Sequence, residues 1–435
     1  MSSEKSLRSI KLIRYLCVLV LIVIPVSMLV TPFVDYAIIE GLDENWTVTK
    51  TLYFFLVMAM PLFAIVVNAM RSKTEKRLMR AMFLVFGYTI WLTYTSAQEL
   101  SYPVFGFVSL LGAVFVAMIF YCCLRDGNLA PTKVFYVLAL SSCLVAIPML
   151  QVTANVAKFT ALRDAFGTSY ILYGYENPRA VGWIATFSLI LTSVLLLERR
   201  GEERFILLLS FVATIAAATL FWSGSRGGIL AFLMSLGVFL VMSRNATRWR
   251  LAHVIACVFS GLILSLFMHL PSRSFGFFAR VSSSLDAEGV DGLSSSRMTL
   301  WKNNLSYIFD QPLTGYGLLP HKYLPGLSGG SAHNIIIELW LWFGILLGSA
   351  VLLALIWLWI ALLRIALATS NPHIRALFAL TTTFAVYCLY SGPYARTLPL
   401  LFVGISVGTI LGYGARKPTE AIEDAKSAIP STQSS

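Results

Sequence analysis

Apolar residues in this chain come in long unbroken blocks, not in the alternating or one-sided stripes of a soluble fold. Residues 12–34, 51–70 and 251–270 are each close to the ~20 apolar positions that cross ~30 Å of hydrocarbon as a helix. Similar blocks lie at 81–97, 103–122, 134–152, 180–197, 205–222, 228–242, 334–363, 375–391 and 398–414. The pattern predicts an all-α, polytopic membrane protein of about 12 transmembrane helices over residues 1–414. Residues 415–435 are polar and Ser-rich and are expected to form a disordered tail. The first block follows Lys5, Arg8, Lys11 and Arg14 as a signal peptide would, but it is long and lacks a small-x-small cleavage site, so it is expected to stay as the first helix. No repeat of fixed period is visible.

Composition agrees with a membrane solvent. The chain is 57% hydrophobic and 12% charged with mean hydropathy +0.77, whereas soluble domains carry about 25% charged residues. A net charge of +12 raises the question of nucleic acid, yet Lys and Arg are dispersed in short clusters between apolar blocks, so no nucleic-acid partner is expected. Most of them fall on alternate connections, which the positive-inside rule assigns to the cytosol together with both termini. The other side then receives the acidic loop 35–50, a loop at 153–179, and a long segment at 271–332 between the ninth and tenth spans, expected to be periplasmic. That segment holds Arg273, Arg280, Arg297, Lys302 and Lys322 on the side where orientation disfavours basic residues, and anion binding explains them. All six cysteines lie inside apolar blocks, without metal-ligand spacing, so neither disulfides nor structural zinc are expected.

Three outer-side motifs carry candidate chemistry. Ser223-Gly224-Ser225-Arg226-Gly227-Gly228 is a small-residue turn opening into a span; it reads as an anion site of backbone N–H groups plus a guanidinium, or as a tight hairpin whose Arg226 snorkels to headgroups. In Ser294-Ser295-Ser296-Arg297 a serine cap precedes a helix whose apolar face is expected at Met298, Trp301, Leu305 and Ile308, lying along the interface with Lys302 beside Trp301 and ending at the turn residues Asp310–Gly317; the alternative is a surface helix with an ordinary solvated Arg297. Ala332-His333-Asn334 stands before a span; the helix dipole favours a neutral, base-competent His333, while capping or packing is the alternative. Glu338, five residues on, reads as a partner for an arginine or as part of a structural ion pair. No Asp-x-Asp, clustered His and carboxylate, Walker loop, GxGxxG or GxSxG elbow is present, so no metal and no cofactor is expected.

These stretches together resemble the O-antigen ligase and polymerase superfamily, bacterial inner-membrane glycosyltransferases with a polyprenyl diphosphate-linked glycan as donor. The matching pieces are Ser223–Leu230, Arg297–Gly317 with its Arg, Leu-Trp and Pro-Leu-x-Gly-x-Gly elements, and His333-Asn334 followed by Glu338 and Phe343-Gly344. Asn177-Pro178-Arg179 is similar to a motif in a subset of the superfamily. The resemblance implies a GT-C-like membrane fold in which Arg226 and Arg297 hold the donor diphosphate and His333 acts at the acceptor hydroxyl. Arg179, Lys302, Tyr316, Asn334 and Glu338 are then candidate substrate-binding residues, and transfer is metal-independent and inverting. Within the superfamily the expectation is a ligase passing glycan from undecaprenyl diphosphate to the lipid A-core at the periplasmic face, among membrane lipids.

Three other readings stay open. A polymerase joining one lipid-linked repeat to another needs the same donor site. A protein O-oligosaccharyltransferase differs in its acceptor. A transporter or flippase would place charge near the bilayer midplane within repeated halves, whereas these spans are nearly free of charge at mid-depth and the long outer segment has no counterpart in the first half.

Overall fold

The computed structural model describes residues 2–30, 70, 73–96, 101–166, 178–198, 203–243, 246–271, 275–285, 297–324, 327 and 331–416. Every extended element among them is helical. In chain order they are α1 (Ser2–Val30), α2 (Lys73–Ser96), α3 (Ser101–Arg125), α4 (Pro131–Cys143), α5 (Ile147–Ala154), α6 (Val156–Phe166), α7 (Pro178–Glu198) and α8 (Glu203–Trp222). There follow α9 (Arg226–Met242), α10 (Arg248–Leu266), α11 (Phe277–Leu285), α12 (Arg297–Asp310), α13 (Ile335–Ala368), α14 (Pro372–Cys388) and α15 (Thr397–Gly414). A 3-10 turn at Leu144–Ala146 joins α4 to α5.

Five stretches are long and apolar enough to cross a bilayer: Pro131–Ala154, Ala180–Glu198, Phe205–Trp222, Arg248–Leu266 and Ile335–Ala368. Shorter apolar helices lie at Ser109–Arg125, Arg226–Met242 and Leu398–Gly414. The chain is therefore a helical membrane protein. The expected span at 51–70, apart from the buried Met70, and the expected tail beyond Arg416 lie outside the described residues; Ala415 and Arg416 themselves are placed, Arg416 donating to the Leu124 carbonyl.

α7 is the central pillar, buried along nearly its whole length and packed against α4, α8, α9 and α14. Two of its buried hydroxyls bond within the helix: Thr186 donates to the Gly182 carbonyl at 2.7 Å and Thr192 to that of Ser188 at 2.8 Å. At its far end Glu198 pairs with Arg375 of α14 at 2.8 Å, and the same guanidinium donates to the Thr369 carbonyl. A second tight pair is α15 on α3. Gly404, Gly408 and Gly412, spaced one helical turn apart, present bare backbone to Ala113, Ala117 and Tyr121, and a Cβ at any of them would strike a carbonyl.

The expected span 334–363 is not one straight helix. α13 breaks at Gly344, whose φ of 75° is left-handed. In an unbroken helix the Leu341 carbonyl would accept from Ile345. Here the loop 312–317 takes over the broken turn: Tyr316 N–H donates to Leu341 O at 2.7 Å, Gly317 N–H to Trp342 O at 3.0 Å, and Ile345 N–H to Pro312 O at 2.6 Å. The Pro-Leu-x-Gly-x-Gly stretch is thus a plug that satisfies a helix break, and its glycines are there because Gly315 and Gly317 press against the backbone of α13 and α2. The plug also docks on α2, where Thr93 Oγ1 accepts from Leu318 N–H at 3.1 Å.

Candidate functional site

The Ser223–Gly228 turn is a helix stop and a helix start placed back to back. α8 ends at Trp222 and Gly224 takes the left-handed conformation, φ 65°, that closes a helix with no Cβ penalty. Ser225 then caps α9, its Oγ accepting from Gly228 N–H at 3.2 Å. Arg226, half-buried, is the first residue of α9. Three elements wall the turn. Gly182 of α7 lies so close that a Cβ would strike Ser225 and Ser223. From α14, the Tyr387 hydroxyl is 3.1 Å from Thr186 Oγ1 and 3.4 Å from Ser225 Oγ, and Tyr390 donates to the Gly227 carbonyl at 2.7 Å. From the segment before α11, Gly276 N–H donates to Trp222 O at 2.7 Å, and the stem of Arg280 lies over Gly224.

Arg297 is the first described residue of α12, one turn before Trp301, whose indole is tied to Ala332. Tyr390 thus holds the helix start that carries Arg226. The serine cap expected at 294–296 lies outside the described residues. The buried face of α12 differs from expectation: Ile308 and Asn304 are buried, Trp301 and Leu305 half-buried, but Met298 is 50% exposed. Asn304 can sit inward because its amide donates to the Leu300 carbonyl at 2.6 Å, which satisfies the polar group. Lys302 is exposed next to Trp301.

The histidine turn rests on one buried carboxylate. Glu338 is 1% exposed, and its Oε1 accepts from Ser331 Oγ at 2.5 Å and from Ala332 N–H at 2.8 Å. Trp301 Nε1 donates to the Ala332 carbonyl at 2.8 Å, fastening α12 to the residue before His333. His333 itself has φ 53°, an uncommon conformation for a residue with a Cβ, and its N–H donates to Ser331 Oγ at 3.2 Å. Asn334 caps α13, accepting from Ile336 N–H at 2.9 Å and Ile337 N–H at 3.4 Å. Tyr394 completes the net with its hydroxyl 3.1 Å from Ser331 Oγ; burial first, and then the neighbouring Glu338, holds that phenol well above its ordinary titration range.

Residues 390–394 join the two turns. Tyr390 touches the arginine turn, Gly392 lies against His333 such that a Cβ there would be 3.2 Å from Nδ1, and Tyr394 reaches Ser331. Arg226, Arg297, His333 and Glu338 are thus gathered at one end of the bundle. The other expected residues stand elsewhere or serve the frame. Tyr316 belongs to the plug, 8% exposed with its ring edge-on to Tyr307 at 5.9 Å, and burial raises its pKa. The backbone of Arg179 is in the first turn of α7, three residues before Gly182, so it starts at the arginine turn. Among the described residues no group of three His, Cys, Asp or Glu could hold a metal ion.

The tyrosines Tyr387, Tyr390 and Tyr394 are site residues not singled out from sequence, and Arg280, marked there only as one of five outer-side basic residues explained by anion binding, lies at the arginine turn. A signal was present: three tyrosines bracketing Ser391-Gly392-Pro393 at the end of an apolar block, where a plain span would run on in aliphatics.

Residues 211–352, the stretch that holds Arg226, Arg280, Arg297, His333, Glu338 and Gly344, match the family profile described as O-Antigen ligase. The chain resembles the O-antigen ligase superfamily. A further similarity is to the ComP-specific O-oligosaccharyltransferase of Acinetobacter baylyi, 23% identical over 192 residues, which are 42% of this chain and 32% of that protein. The match thus spans about a third of that relative's length. The O-antigen ligase match begins inside α8 and ends inside α13, so it covers both turns and the plug, while Gly182 of α7 and the tyrosines of 387–394 that hold the turns in place lie outside it.

Proposed function

We propose that this chain is a glycosyltransferase of the bacterial inner membrane that moves a glycan from undecaprenyl diphosphate to a hydroxyl of the lipid A-core at the periplasmic face. The observation that supports the reading is the continuity of residues 390–394, which run from the backbone next to Arg226 to the imidazole of His333 and on to Ser331. In the proposed step the acceptor oxygen attacks the anomeric carbon from the face opposite the diphosphate, so configuration inverts. The new carbon–oxygen bond forms as the bond to the diphosphate oxygen breaks, and the electron pair leaves with the diphosphate. Arg226 and Arg297, with Arg280 beside them, meet the charge that grows on that leaving group. His333 takes the proton of the acceptor hydroxyl; with Nδ1 packed against Gly392, Nε2 is its working nitrogen. Glu338 and Asn334 act as positioning residues by holding the turn and the start of α13. Arg179 and Lys302 flank this centre as contacts for glycan and lipid, while Tyr316 serves the plug.

The accompanying topology is about twelve spans over residues 1–414 with both termini cytosolic, residues 271–332 periplasmic, and 415–435 a cytosolic tail. One alternative has its own support: the name of the Acinetobacter baylyi relative favours protein O-oligosaccharyl transfer from the same donor. Purified protein given lipid-linked donor and, separately, lipid A-core, a second lipid-linked repeat, or a protein acceptor tests the reading. A new linkage on the lipid A-core, with transfer unchanged by EDTA and without ATP, is the expected result. Linkage to the repeat or the protein alone reassigns the acceptor, and no new linkage with any acceptor overturns the reading in favour of transport.

A further inference from the structure

At the end of the bundle away from the candidate site, a cavity of about 450 Å³ opens between α1, the C-terminal end of α3 and the start of α4. Two cations, Arg14 and Lys133, and the amide of Asn128 line it at one end. The remaining walls are aliphatic side chains with the thiols of Cys17 and Cys123 and the ring of Tyr136. On α1, Arg14 is followed at one-turn intervals by Val18 and Ile22, which are 43% and 54% exposed, and on α4 Lys133 is followed one turn on by Val137. Both helices therefore run from a cation to aliphatic side chains in the same sense. That is the order of polarity along an amphiphile whose phosphate lies at the interface and whose chain points into the bilayer.

The frame of this cavity is fixed. α1 is locked to α3 by reciprocal thiol contacts, Cys17 Sγ to Ile119 O and Cys123 Sγ to Ile13 O, each 3.6 Å. The acid nearest in sequence to Asn128, Asp126, is engaged by Arg125 at 2.9 Å, and Arg416 donates to the Leu124 and Leu129 carbonyls at 2.6 and 2.8 Å, which adds positive charge at the same end. We propose that this cavity binds an anionic glycerophospholipid, with its phosphate between Arg14 and Lys133 and an acyl chain along Val18, Ile22 and Val137. A zwitterionic lipid fits less well because its own ammonium group would meet two cations. A free phosphate ester would leave the aliphatic walls uncovered.

Delipidated full-length protein titrated with phosphatidylglycerol, phosphatidylethanolamine of the same chains, or glycerol 3-phosphate, and read by native mass spectrometry, tests the site. One phosphatidylglycerol should bind in clear preference to the other two. The double variant Arg14→Gln/Lys133→Gln should weaken it about thirtyfold, from roughly a fivefold loss per cation. Val18→Trp, which fills the cavity and keeps both charges, should also lose the lipid, while Arg14→Lys/Lys133→Arg should retain it. Equal binding of the two lipids overturns the proposal without any variant being needed. So does glycerol 3-phosphate binding as well as the lipid, or a Val18→Trp protein that melts normally and still binds phosphatidylglycerol.

Discussion

Arg226 and His333 both stand at the start of a helix, yet the two starts are held by different forces. The arginine turn is held by close packing: Gly182, Gly227 and Gly228 leave space that Ser225, Tyr387 and Tyr390 fill, and few of its contacts can be lost without a clash or a void. The histidine turn is held by hydrogen bonds that converge on one carboxylate oxygen of Glu338, and His333 keeps a left-handed φ because Ser331, Ala332 and Trp301 fix its neighbours on the chain. A guanidinium has reach and tolerates small shifts of its stem, so packing suffices. An imidazole that must accept a proton along one direction needs its backbone set, and hydrogen bonds have the directionality to do it.

The difference can be broken at its largest point first. Glu338→Ala removes the acceptor of the half-buried Ser331 hydroxyl and of the buried Ala332 N–H, the latter costing about 1–3 kcal/mol when left unpaired. Transfer should fall about 10²-fold while donor affinity stays near wild type, and Glu338→Gln, which keeps a carbonyl oxygen, should recover part of the rate. Equal loss of donor affinity would show that the two turns are one unit. Gly228→Val attacks the packed turn instead, pushing a branched side chain into Tyr387, Leu220 and Thr186, with an expected cost of about 1–3 kcal/mol in overpacking. The melting temperature should drop, whereas Gly237→Ala on the same helix, where a Cβ meets nothing within 4 Å, should leave it unchanged or raise it. Tyr390→Phe is the mildest: it removes the hydrogen bond to Gly227 at about 0.5–1.5 kcal/mol and should weaken donor binding less than tenfold without changing the step at His333.

Much of this arrangement was readable from residue order alone. The end of one span at Trp222 and the start of the next within the glycines after Arg226 follow from the small residues between two apolar blocks, and α8 and α9 begin and end within a few residues of where those blocks place them. The break at Gly344 was not readable, because Phe343-Gly344 sits inside an apolar run and a single glycine there is compatible with an unbroken helix. What breaks it is a loop about thirty residues earlier in sequence that supplies the missing backbone partners. The same holds for Glu338, which its charge marked for an arginine; its actual partners are Ser331 and the backbone of Ala332, close in sequence yet brought to it only by the shape of the turn. Tyr390 counted as the apolar end of a span and Tyr394 as part of the connection after it, and their hydroxyls gained meaning only once α14 was packed beside α9 and α13.

The central claim is that cations bind the leaving group and His333 acts on the acceptor, as two separable functions. Donor affinity and transfer rate, measured in the same detergent for folded Arg226→Ala, Arg297→Ala and His333→Ala proteins, test it most directly. Each arginine variant should lose about 10² to 10³ in rate, with lysine restoring only part because it lacks the two-pronged donor face. His333→Ala should bind donor as the unaltered protein does and fail to transfer. A His333→Ala protein that transfers at near the unaltered rate, or arginine variants that lose activity only through poor insertion, would contradict the account and leave Arg226 and Arg297 as headgroup anchors.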